Sequence, residues 1–295
     1  MSMLPLALLV AALLLLLGLI TAVVLLAGGR TSRPAPTPVA TFEAARRHAS
    51  RATLAAWVLG GTTGVVLFAA TPRLTDLTER VPGLLPALAP TAAGLVFAAV
   101  HAVGEVTWPR PTGSVRTAIL ERRTVADVAP RPLRRALWCL VLLGALAVVV
   151  LGLVAAPDGR SIERDFTSPE GWPASSSAGP FPGWPYGLPM LAGWLLLLGA
   201  SEWMLRRIAN RPAVVGTTAP SDLSLRRLSA HRVLRGIVLA VAIHLGVILL
   251  VAAMAARSVG STAPALALLA LGLVTTLAGL VLAALPAAAP TDATA

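Results

Sequence analysis

Apolar residues in this chain come in long runs separated by short segments that carry arginine. A helix needs about 20 apolar residues to span the hydrocarbon core of a bilayer. Seven runs meet that length, at about 4–28, 53–71, 87–108, 133–156, 187–206, 234–256 and 263–286. The first, opening Leu4-Pro5-Leu6-Ala7-Leu8, has the position of a secretory leader but not its build. No positive side chain precedes it, its apolar stretch is too long, and five arginines follow (Arg30, Arg33, Arg46, Arg47 and Arg51). It reads as a retained helix.

The segments between runs differ in charge. Segment 29–52 holds five arginines, the stretch from 109 to Arg135 seven, and Arg206 to Arg235 another seven; the alternate segments hold Arg73 and Arg80, Arg160 and Arg164, and Arg257. The split is 19 against 5, and the positive-inside rule assigns the richer set to the cytoplasm. Trp57, Trp108, Trp138 and Trp203 fall at those same ends, where an amphipathic ring prefers the headgroup level. The expected fold is therefore an all-α polytopic bundle of seven transmembrane helices. It is a single domain over 1–295 in the plasma membrane, with the N-terminus outside and the C-terminus cytoplasmic. The arginine clusters are expected to meet anionic headgroups. A net charge of +11 then reflects orientation rather than affinity for nucleic acid.

Three local patterns refine this picture. The longest external segment, 157–186, repeats Gly-Trp-Pro at 171–173 and 183–185 and carries Phe166, Phe181 and Tyr186. Its prolines and glycines exclude long helices and predict turns or extended segments that cap the helix ends; a ligand-recognising lid is the other reading. Glu105, Trp108 and Leu133-Arg134-Arg135 are matched by Glu202, Trp203 and Leu225-Arg226-Arg227. Either a hairpin duplication or the common chemistry of membrane exits accounts for the match. Ser221-Asp222 ahead of Leu223, Leu225 and Leu228 predicts a capped amphipathic helix leading into the sixth run, its arginines on lipid.

Composition agrees with a membrane protein: 56% of the 295 residues are hydrophobic and 13% charged, and mean hydropathy is +0.80. All basic residues other than histidine are arginine, a bias expected of a GC-rich genome. Without lysine there is no P-loop ATPase, retinal Schiff base or pyridoxal-phosphate site. One cysteine, Cys139, excludes Cys-rich zinc and iron–sulfur centres. No His-Glu-x-x-His motif occurs, and Gly199-Ala200-Ser201-Glu202 does not form a serine-protease nucleophile motif. The 13 carboxylates fall in loops or within about a turn of a run's end, which argues against ion-coupled transport. Pro86 and Pro90 are positioned to interrupt the third run, as in discontinuous transporter helices, or to sit in its tolerated first turn.

Two ionisable side chains remain deep in the runs, His101 and His244. The simplest role for each is a hydrogen bond to a carbonyl or hydroxyl of a neighbouring helix. His101 precedes Glu105 by one turn and shares its face. The sharper reading is bis-histidine haem ligation, which needs neutral imidazoles at matched depth. Counted from Trp108 and Arg235, the two lie roughly 10 and 14 Å in. Small-residue stripes at Gly60-x-x-x-Gly64, Gly94-x-x-x-Ala98-x-x-x-Ala102 and Ala242-x-x-x-Gly246 predict close helix packing.

The run Glu105-x-x-Trp108-Pro109-Arg110-Pro111-x-Gly113, with Pro180-Phe181-Pro182-Gly183-Trp184-x-Tyr186-Gly187, resembles uncharacterised multi-pass membrane proteins of actinobacteria. That resemblance implies a polytopic fold and carries no activity or site residue. The functional expectation is a non-catalytic structural, sensory or accessory subunit without cofactor or metal. The alternative is a small-solute transporter or permease component. A polar path through the bundle separates the two.

Overall fold

The computed structural model describes residues 38–74, 81–108, 123–214 and 218–287. The expected first helix (4–28) lies outside the described residues, as do Arg80 and the arginines at 30, 33, 110, 116 and 122. The elements in order are α1 (Pro38–Leu74), α2 (Leu84–Val106), the short α3 (Val125–Val128), α4 (Arg131–Val154), β1 (Ile162–Thr167), β2 (Pro173–Ala178), α5 (Trp184–Asn210), α6 (Ala219–Ser258) and α7 (Thr262–Ala284). Six of these helices are long and apolar enough to cross a bilayer, the pattern of a multi-pass membrane protein.

Four of the six match the expected bounds to within four residues. The other two start ahead of their apolar runs. α1 begins at Pro38 rather than 53, 15 residues early, whereas α6 begins at Ala219, so the amphipathic helix expected from Ser221 leads into the 234–256 run without a break. The apolar criterion detects only the part of a helix that hydrocarbon would cover. The earlier turns are helical because Arg, Ala and Leu favour helix and because their apolar positions recur at helical spacing. In α1, Phe42, Ala45 and Ala52 are all buried. At 1.5 Å per residue the 40 residues of α6 extend about 60 Å, twice a hydrocarbon core of roughly 30 Å.

α6 is the central element, packed on α2, α4, α5 and α7, whereas α1 rests mainly on α2. The chain alternates direction, so the start of α1, the end of α2, the starts of α4 and α6 and the ends of α5 and α7 gather at one arginine-rich end. The small-residue stripes do pack closely. A Cβ at Gly60 would stand 2.9 Å from the Ala93 carbonyl oxygen, one at Gly94 would stand 3.0 Å from Ala240, and one at Gly246 would stand 3.0 Å from the Gly272 carbonyl oxygen. α2 runs unbroken through Pro86 and Pro90, and Pro86 sits in its first turn, so of the two readings the discontinuous helix is not the one adopted.

At the opposite end, the Pro/Gly-rich segment is an antiparallel hairpin, with Ile162 opposite Ala178 and Thr167 opposite Pro173. Asp158 anchors its base by accepting from the Arg160 and Ser161 amides. The Arg160 amide, more than any other group, holds the Asp158 carboxyl below the usual carboxylate range. Arg164 donates to the Gly260 carbonyl and so ties the hairpin to the α6–α7 turn. Phe181 is buried beneath, while Phe166 and Trp172 are exposed. The second Gly-Trp-Pro belongs to the first turn of α5, where Pro185 needs no amide partner.

Trp194 of α5 fills the space that Gly144 of α4 leaves open: a Cβ on Gly144 would lie 2.5 Å from the indole ring. Gly144→Leu should therefore lower stability by about 1–3 kcal/mol, the usual cost of overpacking. Gly61→Ala, whose added Cβ meets nothing within 4 Å, should be near neutral. Detergent-phase thermal unfolding of the two variants beside wild type checks the contrast; equal stabilities would contradict this packing.

Candidate functional site

Three polar constellations stand out, two near the arginine-rich end and one in the core. The first joins α5 to α6. Arg226 and Asp222 are each 1% exposed, one helical turn apart, and Arg226 Nε donates to Asp222 Oδ2 at 2.8 Å. Arg123 Nη1 donates to the same oxygen at 2.6 Å. The rest of the Arg226 fork donates to backbone carbonyls at the C-terminus of α5: Ile208 at 2.6 Å, Ala209 at 3.0 Å and Arg211 at 2.7 Å. These carbonyls have no partner within α5, and a cation suits the negative end of the helix dipole. Arg226 is thus a buried helix cap and not a headgroup contact. The Ncap of α6 also corrects the expectation: Thr218, whose hydroxyl accepts from the Ser221 amide, holds it.

The second constellation surrounds the end of α2. Arg211 donates to Glu105 Oε2 at 3.1 Å and to Ser229 at 3.2 Å. Its guanidinium lies 3.6 Å from the centre of the Trp108 ring, a cation–π contact. Burial pushes the Arg211 guanidinium below its usual value and the Glu105 charge opposes that. Trp108 is only 5% exposed and meets His48 edge-on. It is a core group rather than a headgroup anchor, unlike the exposed Trp138 and Trp203. His48 Nε2 donates to the Gly104 carbonyl at 2.9 Å. His48, His101, Glu105, Ser229 and Arg232 line a cavity of about 10 Å³, room for about one water. His101 and Glu105 do share a face, as their spacing predicts.

The matching residues of the other hairpin are used differently. Glu202 accepts from Arg134 Nε at 2.8 Å and from Trp138 at 3.2 Å. It sits two turns inside α5, deeper than a position beside a helix end, and it is tolerated there because Arg134 matches its charge.

The third constellation is in the core. Trp194 Nε1 donates to His244 Nδ1 at 3.0 Å, and the Thr91 hydroxyl lies 2.6 Å from the same nitrogen. An indole can only donate, so Nδ1 is an acceptor and the neutral imidazole carries its proton on Nε2. An iron-ligating imidazole has the opposite arrangement, donating through its second nitrogen. His101 is ten residues from Thr91 on the same helix, about 15 Å along the axis, and meets the Phe97 ring at a tilt of 55° instead. The two histidines occupy different depths and do not fit a shared haem. His244 bonds a hydroxyl and an indole; His101 turns to the small cavity. Sequence spacing offered no signal for Trp194 or His48 as partners, because both contacts cross between helices.

Comparison with protein-family models, with curated proteins and with solved structures finds no match to this chain.

Removing the Asp222 carboxylate leaves the Arg226 charge buried without its counter-ion. Asp222→Ala is expected to cost about 3–5 kcal/mol. Arg226→Lys should be nearly as costly, since an ammonium cannot fork across three carbonyls and a carboxylate. Denaturant unfolding of the purified variants measures both; a loss under about 1 kcal/mol in each would contradict the buried cap.

Proposed function

We propose that the chain is a multi-pass plasma-membrane protein of seven helices, N-terminus outside and C-terminus cytoplasmic, serving as a non-catalytic structural, sensory or accessory subunit. The observation that carries this reading is the filled centre of the bundle. Phe97, Trp194, Leu197, Val241 and Leu245 are all buried there, and His244 among them accepts at Nδ1 from Trp194, with the Thr91 hydroxyl against the same nitrogen. Solute transport needs a polar path to the midplane. The polar cavity lined by His101 holds about one water and lies at the arginine-rich end.

The orientation rests on the same end. Pro38 and Ala284 both lie there, together with exposed Arg131, Arg135, Arg206, Arg207 and Arg227, so the positive-inside rule turns it to the cytoplasm. These exposed arginines, and not Arg226, are the ones placed to meet anionic headgroups.

Two measurements test the reading separately. A reporter active only in the cytoplasm should work when fused after Ala295 and fail within 157–186; the reverse would overturn the orientation. With the exposed Cys139 replaced by Ser, Val241→Cys should resist a membrane-impermeant maleimide in intact membranes and react after denaturation. Labelling in intact membranes would favour a water-filled path, and with it the transporter reading.

A further inference from the structure

We infer that the seam between α1, α2 and α6 binds one anionic membrane phospholipid, its phosphate on Arg46, Arg232 and Arg235 and an acyl chain in the groove beyond. Two features of the seam, stacked one helical turn apart, carry this. The apolar one is a groove of about 430 Å³ whose lining includes Trp57, Gly61 and Val65 of α1, Phe97 of α2, and Leu239 and Ile243 of α6. The cationic one lies toward the arginine-rich end. Arg232 donates to Ser50 of α1 at 3.1 Å and feels the charges of Arg235 and Arg46.

The charge balance there is incomplete. None of these three arginines takes part in an ion pair among the described residues. Arg232 Nη1 and Arg235 Nε are shielded from solvent and have no hydrogen-bond partner. Neighbouring Glu105 is committed to Arg211. Three like charges with shielded, unpaired donors call for an anion.

Position along the helices makes that anion the head of an amphiphile. Arg46, Ser50, Trp57, Gly61, Val65 and Phe68 recur at three-, four- and seven-residue steps along α1, as do Arg232, Arg235, Leu239 and Ile243 along α6. Each series places one helix face along the seam. Read from the arginine-rich end, that face passes from cationic, through the ring of Trp57, to apolar. This is the order of groups in a phospholipid. The Gly61 position is open, since an added Cβ meets nothing within 4 Å.

The test is native mass spectrometry of the full chain released from detergent containing equimolar phosphatidylglycerol and phosphatidylcholine. Wild type should retain one phosphatidylglycerol in preference to phosphatidylcholine, and excess inorganic phosphate should not displace it. Arg232→Gln with Arg235→Gln should weaken retention roughly thirtyfold, about fivefold per arginine, whereas Arg206→Gln with Arg207→Gln should not. Gly61→Leu, whose Cβ enters open space and whose side chain takes up part of the groove, should also release the lipid. It keeps the test decisive if the double arginine variant fails to fold.

Equal retention of both lipids, displacement by phosphate, or full retention in Gly61→Leu would each overturn the proposal. So would a lipid-free dimer, or lipid-independent disulfide formation between Leu14→Cys and Gly61→Cys. Those last two results would assign the groove to a second copy or to residues 4–28. The maleimide and reporter outcomes do not depend on any of these.

Discussion

A guanidinium buried as completely as that of Arg226 is stable only if every face of it is satisfied, and four acceptors surround it. Three are carbonyls that the end of α5 leaves without internal partners; the fourth is the Asp222 carboxylate, one turn back on its own helix. That contact therefore fixes the end of α5 against the start of α6. Because α6 is the helix on which α2, α4, α5 and α7 all pack, its placement sets the bundle. Arg123 brings the segment ahead of α3 to the same carboxylate, and the Thr124–Asp127 capping box holds α3 itself in shape. The Thr124 amide, foremost, keeps the Asp127 carboxyl below its usual range.

The bilayer-crossing part of the fold was legible in the sequence because hydrocarbon imposes a one-dimensional rule, about 20 apolar residues per crossing. Runs at 87–108, 133–156 and 263–286 became helices with small shifts at their ends. The same rule is blind to amphipathic helix outside the hydrocarbon, which is why α1 gained 15 residues; the lead into α6 was legible from Ser221-Asp222 and the spaced leucines instead. Arg226 is the clearest case of a residue whose type misled. An arginine pair beside leucines at a membrane exit reads as headgroup contacts, and only the return of α5 to the same spot reveals free carbonyls for Arg226 to cap.

The histidines show the other limit. That both lie buried within the bundle was readable; their relative depth and their partners were not. His244 meets Thr91 and Trp194 across 153 and 50 residues of sequence. Gly193 makes the α2–α5 approach possible, since any Cβ there would collide with the Thr91 side chain. The stripe motifs were informative because small residues act by what they lack, and any helix can use the space. A hydrogen bond needs one particular partner, and pattern along a single helix does not name it.

α1 differs from its neighbours in how it is held. Glycines at 60 and 64 bring it onto α2, yet it touches α6 little, and the groove and the unpaired arginines lie along that α1–α6 seam. An element fixed on one side only is the cheapest to displace, and like charges on Arg46 and Arg232 push the two helices apart where Ser50 alone joins them. An anion at this point would turn that repulsion into a bridge, and an attached chain would fill the space further along. The core behind α6 is closed instead by small-residue contacts and the Trp194–His244 bond. The two sides of α6 thus differ: one is closed by protein side chains, and the other carries the groove and the unpaired arginines.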